Sequence, residues 1–296
     1  MKLCKPLFEI WEQSASLEGV YKQIEKVGRV CYKSEDKITE DSAKPFVDRM
    51  IKSGHGAMLE HGTVYLQCET AKSAINPLTK YYLNKYSKVK AKEGAIEETM
   101  KLFVTTNLRV LVENDWLDDL QYICEPTEFH EKRITVHFVC DRGVSHEFVR
   151  HRVMSFAQES TRYCNYSKDK FGNELTFIIP CWLDIPTGHY AYWDGDWCDI
   201  DKMKIQLPEG EHKDIDAFLW TLNNAETHYT LLINSGWKPQ EARAVLPNSL
   251  KTELVMTGFV SDWKHFFELR CDSAAHPQAR ELAIPLREEF IKRNYI

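Results

Sequence analysis

The stretch RHRVMSFAQESTRY, residues 150–163, sets three arginines and a histidine among Val153, Met154 and Phe156. A solvated basic face seldom carries so many apolar neighbours, since guanidinium groups keep their water and apolar side chains shed theirs. The stretch therefore reads either as a nucleic-acid patch with apolar support or as a partly buried site that holds anions. The net charge of −6 opposes a general affinity for nucleic acid or anionic membranes, so an anion site must be local. Guanidinium forks grip phosphate in bidentate fashion and keep their charge at any working pH. His151 can stack or donate, and the backbone N–H groups of Ser160, Thr161 and Arg162 can cradle a further phosphate. These features fit a dinucleotide plus a second phosphate.

The 296 residues, 43% hydrophobic and 12% aromatic, suffice for a core without staples. Nine cysteines make an odd count with no CxxC pair, which disfavours a disulfide framework and a structural zinc site; no metal is expected. The N-terminal MKLCKPLFEIWEQ lacks a signal-peptide pattern, and no stretch approaches the roughly 20 apolar residues of a membrane span. The expectation is a cytoplasmic protein with no membrane partner.

Outward from the opening stretch, DRGVSHEFVRHRVMS starts as a helix capped by Asp141, and ITVHFVC (134–140) and TVYLQ (63–67) read as strands. SLEGVYKQIEKVGRV and DSAKPFVDRMIKSG carry helical apolar spacing, with Asp41 or Ser42 as a cap and Gly54 as a stop. SAINPLTKYYLNKYSKVK resembles a surface helix or loop, and TNLRVLVENDWLDDLQYI a helix capped near Thr106 or Asn107. TFIIPCW (176–182) is strand-like, and residues 214–236 form a long amphipathic helix closed by Gly236. WKPQEARAVLP, LKTELVMTGFVSDWKHFFELRC and QARELAIPLREEFIKRN are expected to give three or four more helical segments. With no repeat or linker, the expected fold class is α+β: a single domain over 1–296 with a mixed or antiparallel sheet flanked by helices. Residues 69–133 form an elaborated segment within it.

HEFVRH (146–151) nearly spells a zinc motif, but its histidines are at i and i+5, about 140° apart on a helix, so they cannot share a face. GHGAMLEH (54–61) packs two histidines and Glu60 among small residues, and by default is a helix end with satisfied histidines. Arg243 and Arg270 sit in apolar frames, EARAVLP and FFELRCD, where an arginine is costly unless paired. Glu268 or Asp272 could partner Arg270; a bound phosphate or heterocycle would serve equally well.

With these residues in hand, the chain resembles the flavin-dependent thymidylate synthases. Arg150-His151-Arg152, seven residues, then Ser160 matches that family's signature. GRVCY (28–32), GHGAMLEH, SHEFVRHR, STRY, EARAVLP and HFFELRCD occur in the family's order. The resemblance implies reductive methylation of dUMP to dTMP, with methylenetetrahydrofolate as carbon donor and NADPH reducing a bound FAD. It implies FAD contacts from Ala57, Arg150, His151, Arg152, Gln158 and His265. It implies dUMP contacts from Glu147, Arg150, Gln158, Glu159, Ser160, Thr161, Arg162, Arg243 and Arg270, with Glu147 reaching in from a neighbouring subunit. Arg270 is the implied catalytic residue, set beside the uracil. A homotetramer with active sites between subunits is implied too, and closed symmetry is the usual solution for soluble oligomers. The chain departs from the family at Phe259 and Ser261, where members can carry Asn and Arg, and at His276-Pro277-Gln278.

Two other readings compete. A Pro-Cys pair is the nucleophile of the cysteine-dependent thymidylate synthases, which makes Cys181 a candidate for a cysteine-nucleophile methyltransferase. There His follows the cysteine; here Trp182 does, and nothing nearby lowers the thiol pKa. The second is a nucleic-acid-binding module at 150–162, opposed by the acidic total and the lack of a wider basic stripe.

Overall fold

The computed structural model describes residues 1–168, 172–193, 196–202, 204–205 and 213–296. The chain opens with strands β1 (Lys2–Cys4) and β2 (Leu7–Trp11), then helices α1 (Leu17–Tyr32), α2 (Ala43–Lys52) and α3 (Gly56–Leu59). Next come β3 (Thr63–Ala71), β4 (Lys88–Glu93), β5 (Thr99–Asn107) and α4 (Leu108–Glu113). The middle of the chain gives β6 (Arg133–Asp141), α5 (Arg142–Phe148), β7 (Ser155–Gln158), β8 (Thr176–Ile178), β9 (Gly188–Trp193), β10 (Asp196–Asp199) and β11 (Lys204–Ile205). The last part is α6 (Lys213–Asn234), α7 (Pro239–Ala242), β12 (Lys251–Phe259), α8 (Val260–Arg270) and α9 (Pro277–Lys292).

The sheet that positions the site has the order β2-β6-β12-β7 and is antiparallel throughout. Its centre, β12, corrects the sequence reading, which expected LKTELVMTGF to be helical. The run is buried on both faces. Leu254 and Met256 pack with Trp263, Phe266 and the inner face of α9, while Val255 packs with Trp11, Val27, Val30 and Ala157. A strand covered on both sides loses its period-two pattern, and its apolar run then looks like a buried helix turn.

The segment 69–133 also departs from expectation. SAINPLTKYYLNKYSKVK is a 3-10 turn over Pro77–Leu83 followed by β4, and Leu78 and Tyr81 are fully buried. With β3 and β5 it makes a three-stranded antiparallel sheet, order β3-β5-β4. That sheet shares a core with α1 and α2 through Val20, Ile24, Phe46, Leu66, Tyr81 and Leu102. The buried Tyr81 hydroxyl donates to Asp119 at 2.8 Å. Asn107 does cap α4, accepting from Val110 N at 3.2 Å, but the helix stops at Glu113 and Asp115 turns to φ 58°.

Other boundaries agree with the sequence. Asp141 caps α5 by accepting from Val144 N at 2.7 Å. Gly54 and Gly236 take φ of 70° and 93° at their helix ends. Ser42 holds the N-cap position of α2, its carbonyl accepting from Phe46 N at 3.1 Å, but its hydroxyl makes no capping bond and donates to Glu25 at 2.7 Å. The remaining sheet, β11-β10-β9-β1-β8, holds one parallel pair, β1 with β8. Among the described residues no helix is long and apolar enough to cross a membrane.

Candidate active site

α5 ends at Phe148, whose ring locks into the core against Phe138 and Phe266. The chain then turns through Arg150-His151-Arg152, with His151 N donating to Phe148 O at 3.1 Å, before β7 begins at Ser155. The apolar frame of the opening stretch is thereby explained in part. Met154 is buried and Phe156 half-buried beside the core, while Val153 stays exposed in a cavity wall.

His151 is buried, and its Nε2 accepts from Arg270 Nε at 3.0 Å. The proton of the neutral ring therefore resides on Nδ1. Burial first, then the charges of Arg270 and His265, push this histidine down to about 4. Its ring lies 5.0 Å from that of Phe266. The partner of Arg270 is neither Glu268 nor Asp272 but Glu147, one turn before the loop. Arg270 Nη1 donates to Glu147 Oε2 at 2.7 Å and Nη2 to the Glu147 carbonyl at 2.6 Å. Three of five guanidinium N–H groups are thus engaged, leaving one on each terminal nitrogen. Glu147 also lies 3.8 Å from the exposed Arg150. His265, on the same helix as Arg270, is exposed and stands 3.4 Å from Glu268.

A second group gathers at the end of β7. Gln158 Nε2 donates to Ser145 Oγ on α5 at 2.9 Å. Glu159 is buried, with its carboxylate taken by Lys251 at 3.0 Å and by the Tyr166 hydroxyl at 3.0 Å. Ser160 Oγ accepts from Arg162 N at 3.3 Å, and Ser160 N donates to Cys31 O at 3.0 Å. Thr161 Oγ1 accepts from Arg243 at 3.1 Å, which ties α7 to the loop. Among the described residues no direct hydrogen bond or ion pair joins the Arg270 cluster to this loop, though both meet α5, the cluster at Glu147 and the loop at Ser145.

Glu253 on β12 extends the charged network behind Glu159. It accepts from His137 at 2.9 Å and from Lys251 at 2.5 Å, and it also pairs with Lys33. Burial alone would raise its carboxyl; the His137 hydrogen bond and the two lysine charges outweigh that and hold it well below the usual carboxylate range. A depressed folded-state value contributes stability that is fully present above the unfolded value near 4.3 and is lost progressively as pH falls from there toward the folded value. Glu253→Gln should therefore melt earlier than the parent at pH 7, with the gap closing toward pH 3. Thermal melts across that range measure it, and a constant gap would contradict the assignment.

Arg152 is exposed and lines a cavity of about 690 Å³, within the usual range for small-ligand sites. Ala57 lines it too, together with Val153, Met154 and Phe156. The elaborated segment adds Lys85, Tyr86, Lys88 and Arg109 to its lining. Arg109 is held by Glu60 at 2.5 Å and Glu113 at 2.6 Å. Arg133, at the start of β6, also lines the cavity and is nine-tenths buried. Nothing in the sequence singles out Arg133 or the basic residues beside it. A lone arginine in EKRITVHF carries no periodic or motif signal, and only the fold brings it beside Phe259.

Cys181 is exposed, and partial burial of its sulfur followed by the charge of Glu281 raises its thiol pKa. Nothing there activates a nucleophile. All nine cysteines are free, and no cluster of metal-ligating side chains occurs among the described residues.

Fold and site define the class first: an α+β protein whose Arg-His-Arg loop joins a partly buried Arg–His–Glu cluster to a cavity lined by both cations and carboxylates. The chain belongs to the family described as Thymidylate synthase complementing protein (Thy1), whose profile matches residues 86–293. It is similar to the flavin-dependent thymidylate synthase of Pyrococcus furiosus, 31% identical over 160 residues, 53% of either chain. Its counterpart in Geobacter sulfurreducens is 28% identical over 145 residues, 49% of this chain and 50% of that one. The chain spans about half the length of the curated relatives it matches. Among solved structures, the UMP/dUMP methylase PolB from Streptomyces cacaoi bound with 5-Br dUMP aligns with a TM-score of 0.43 and 18% identity, covering 99% of this chain and 93% of that one.

Proposed function

We propose that the protein reductively methylates dUMP to dTMP, taking the carbon from methylenetetrahydrofolate and the reducing equivalents from NADPH through FAD. The observation that carries the reading is Arg270: a guanidinium in an apolar wall, aligned by Glu147 and a neutral His151, with two N–H groups left over. Family membership supports the same reading.

The cavity beside Arg152 suits a flavin dinucleotide. It joins an apolar wall, Val153, Met154, Phe156 and Phe259, to cations at Lys85, Lys88, Arg133 and Arg152, while its acids Glu60 and Glu113 are paired with Arg109, and Asp262 accepts from Phe259 N. Arg150, His151, Arg152, Gln158, His265 and Ala57 are the proposed flavin residues. When bound, the flavin supplies the hydride. The chain binds and orients. Ser160, Thr161, Arg162 and Arg243 hold the dUMP phosphate, and Gln158 and Glu159 shape that loop from within. Arg270 faces the uracil and stabilises negative charge as it builds on the ring, which raises turnover only if the charge grows toward the transition state. Glu147 and Arg150 complete the nucleotide contacts. A homotetramer whose sites are shared between copies belongs to the same reading and rests on family membership.

The test is direct. Purified protein should be yellow with flavin absorbance bands, and should form dTMP from dUMP, methylenetetrahydrofolate and NADPH. A colourless protein that neither takes up FAD nor forms dTMP overturns the reading. No enzyme nucleophile is required on it. Cys181→Ala should keep most turnover, and Ser160→Ala should weaken dUMP binding yet retain measurable catalysis, because among the described residues no histidine hydrogen-bonds to Ser160 Oγ. Trapping a dUMP adduct on either side chain by mass spectrometry would overturn this.

A further inference from the structure

Arg133 is a buried cation with no carboxylate partner among the described residues. Its Nη1 donates to Glu60 O at 2.9 Å and to Thr63 Oγ1 at 3.3 Å, and its Nη2 to Ser155 Oγ at 3.3 Å. Its Nε has no partner among the described residues and is closed to solvent. The two acids nearest it are committed elsewhere: Glu60 to Arg109, and Asp262 to Phe259 N at 2.9 Å. The unsatisfied donors are Nε–H and one N–H of Nη2. Those two nitrogens form the side-on edge of the guanidinium, the edge that grips two oxygens of one oxyanion. Burying a guanidinium unpaired is strongly unfavourable, and native structures keep such groups where a ligand or partner completes them. Burial drags this one down to about 10 despite the attraction of Tyr65, Glu60 and Asp262, so its surroundings do not neutralise it.

We infer that Arg133 is a ligand-binding residue whose unpartnered edge, closed to solvent in this structure, turns to take the pyrophosphate of an adenine dinucleotide in the cavity, with Lys88 of the same lining as a second cation. The identity of that dinucleotide as FAD rests on the proposed function; the oxyanion chemistry does not. Lys88 lies on β4, in the elaborated segment, and stands 5.6 Å from the Phe259 ring that Arg133 also faces at 5.5 Å. The segment 69–133 thereby acquires a role as the basic wall of a phosphate site. A pyrophosphate fits better than the monoester of dUMP. Neither Ser160, Thr161, Arg162 nor Arg243 lines this cavity, whereas Arg152 and Ala57 do.

The test compares FAD, riboflavin and inorganic pyrophosphate on the parent and on Arg133→Met, which keeps side-chain bulk and removes the fork. FAD affinity, read by quenching of flavin fluorescence, should fall on the order of a hundredfold, the low end for two charge-assisted hydrogen bonds. Riboflavin, which lacks phosphate, should bind both proteins within about threefold, since no charged contact is lost. Pyrophosphate should raise the melting temperature of the parent and not of the variant. Equal losses for FAD and riboflavin would mark a structural residue and overturn the inference, as would unchanged FAD affinity. A melting shift with dUMP but not pyrophosphate, lost in the variant, would assign the edge to the substrate instead and overturn it too. Should Arg133→Met fail to fold, Arg133→Lys decides. It keeps the charge and loses the side-on edge, so FAD should weaken about tenfold with riboflavin unchanged, and parent-like FAD binding sinks the inference. If the parent binds no FAD but its pyrophosphate shift disappears in the variant, the proposed function fails and the anion site stands.

Discussion

Arg270→Ala should keep its fold and its flavin and lose dTMP formation by roughly two to three decades, the usual size of one removed electrostatic donor. Phe266 and Phe267 are buried beside it and the Arg270 side chain is only 12% exposed, so the guanidinium acts in a low effective dielectric. Uracil becomes reactive as negative charge spreads over its carbonyls and N3, and a fixed cation facing that charge favours the transition state over the neutral ring. The structure adds a signature that the rate alone would not give. Arg270 donates to His151 and helps hold it down to about 4. Removing that cation should let His151 rise toward its ordinary value near 6.5, visible as a shifted imidazole titration by NMR. Arg270→Lys should rescue only partly, because an ammonium cannot hold Glu147 and His151 together in one plane. A variant that melts much earlier while its folded fraction turns over dUMP at the parent rate would make the residue structural.

The sequence announced some of this and concealed the rest for identifiable reasons. Helix punctuation was legible because it is local: Asp141 needs only Val144 N to show itself as a cap, and Gly54 and Gly236 only a positive φ. The strand at 251–259 was not, since whether an apolar run is covered on one face or two depends on Trp11, Val27 and α9, all far away in sequence. The site divides the same way. Arg150 to Ser160 is a contiguous pattern, so as a candidate it is visible in the sequence alone. The pairing of Arg270 with Glu147 spans 123 positions, so spacing pointed instead to the adjacent Glu268 and Asp272. Arg133 lay wholly beyond reach, because nothing but the β6–β12 register sets it beside Phe259. Chemistry carried by short runs is readable from a chain; chemistry assembled by sheet register is not.

The joint replacement of Arg150 and Arg152 by alanine should lower FAD affinity by about two to four decades if the two contributions add. That figure takes roughly 1.5–3 kcal/mol for each charge-assisted hydrogen bond to a ligand. Both side chains are exposed, and the only ion pair between them and the rest of the described chain is the 3.8 Å contact of Arg150 with Glu147. Such surface pairs contribute little stability, so the double variant should melt close to the parent without ligand. The loss of affinity is then a loss of contacts and not of fold. The structure also predicts how the loss divides. Arg152 lines the large cavity and Arg150 does not; Arg150 instead leans toward Glu147 and the Arg270 cluster. Arg152→Ala alone should thus account for most of the lost FAD affinity, whereas Arg150→Ala should weaken dUMP as much as it weakens FAD. Gel filtration with absorbance at flavin wavelengths, followed by titration of each single variant with FAD and with dUMP, separates the two. Full FAD retention by the double variant would refute a flavin role for the loop. The reverse division, with Arg150 dominating FAD binding, would mean that the cavity beside Arg152 is not where the flavin sits.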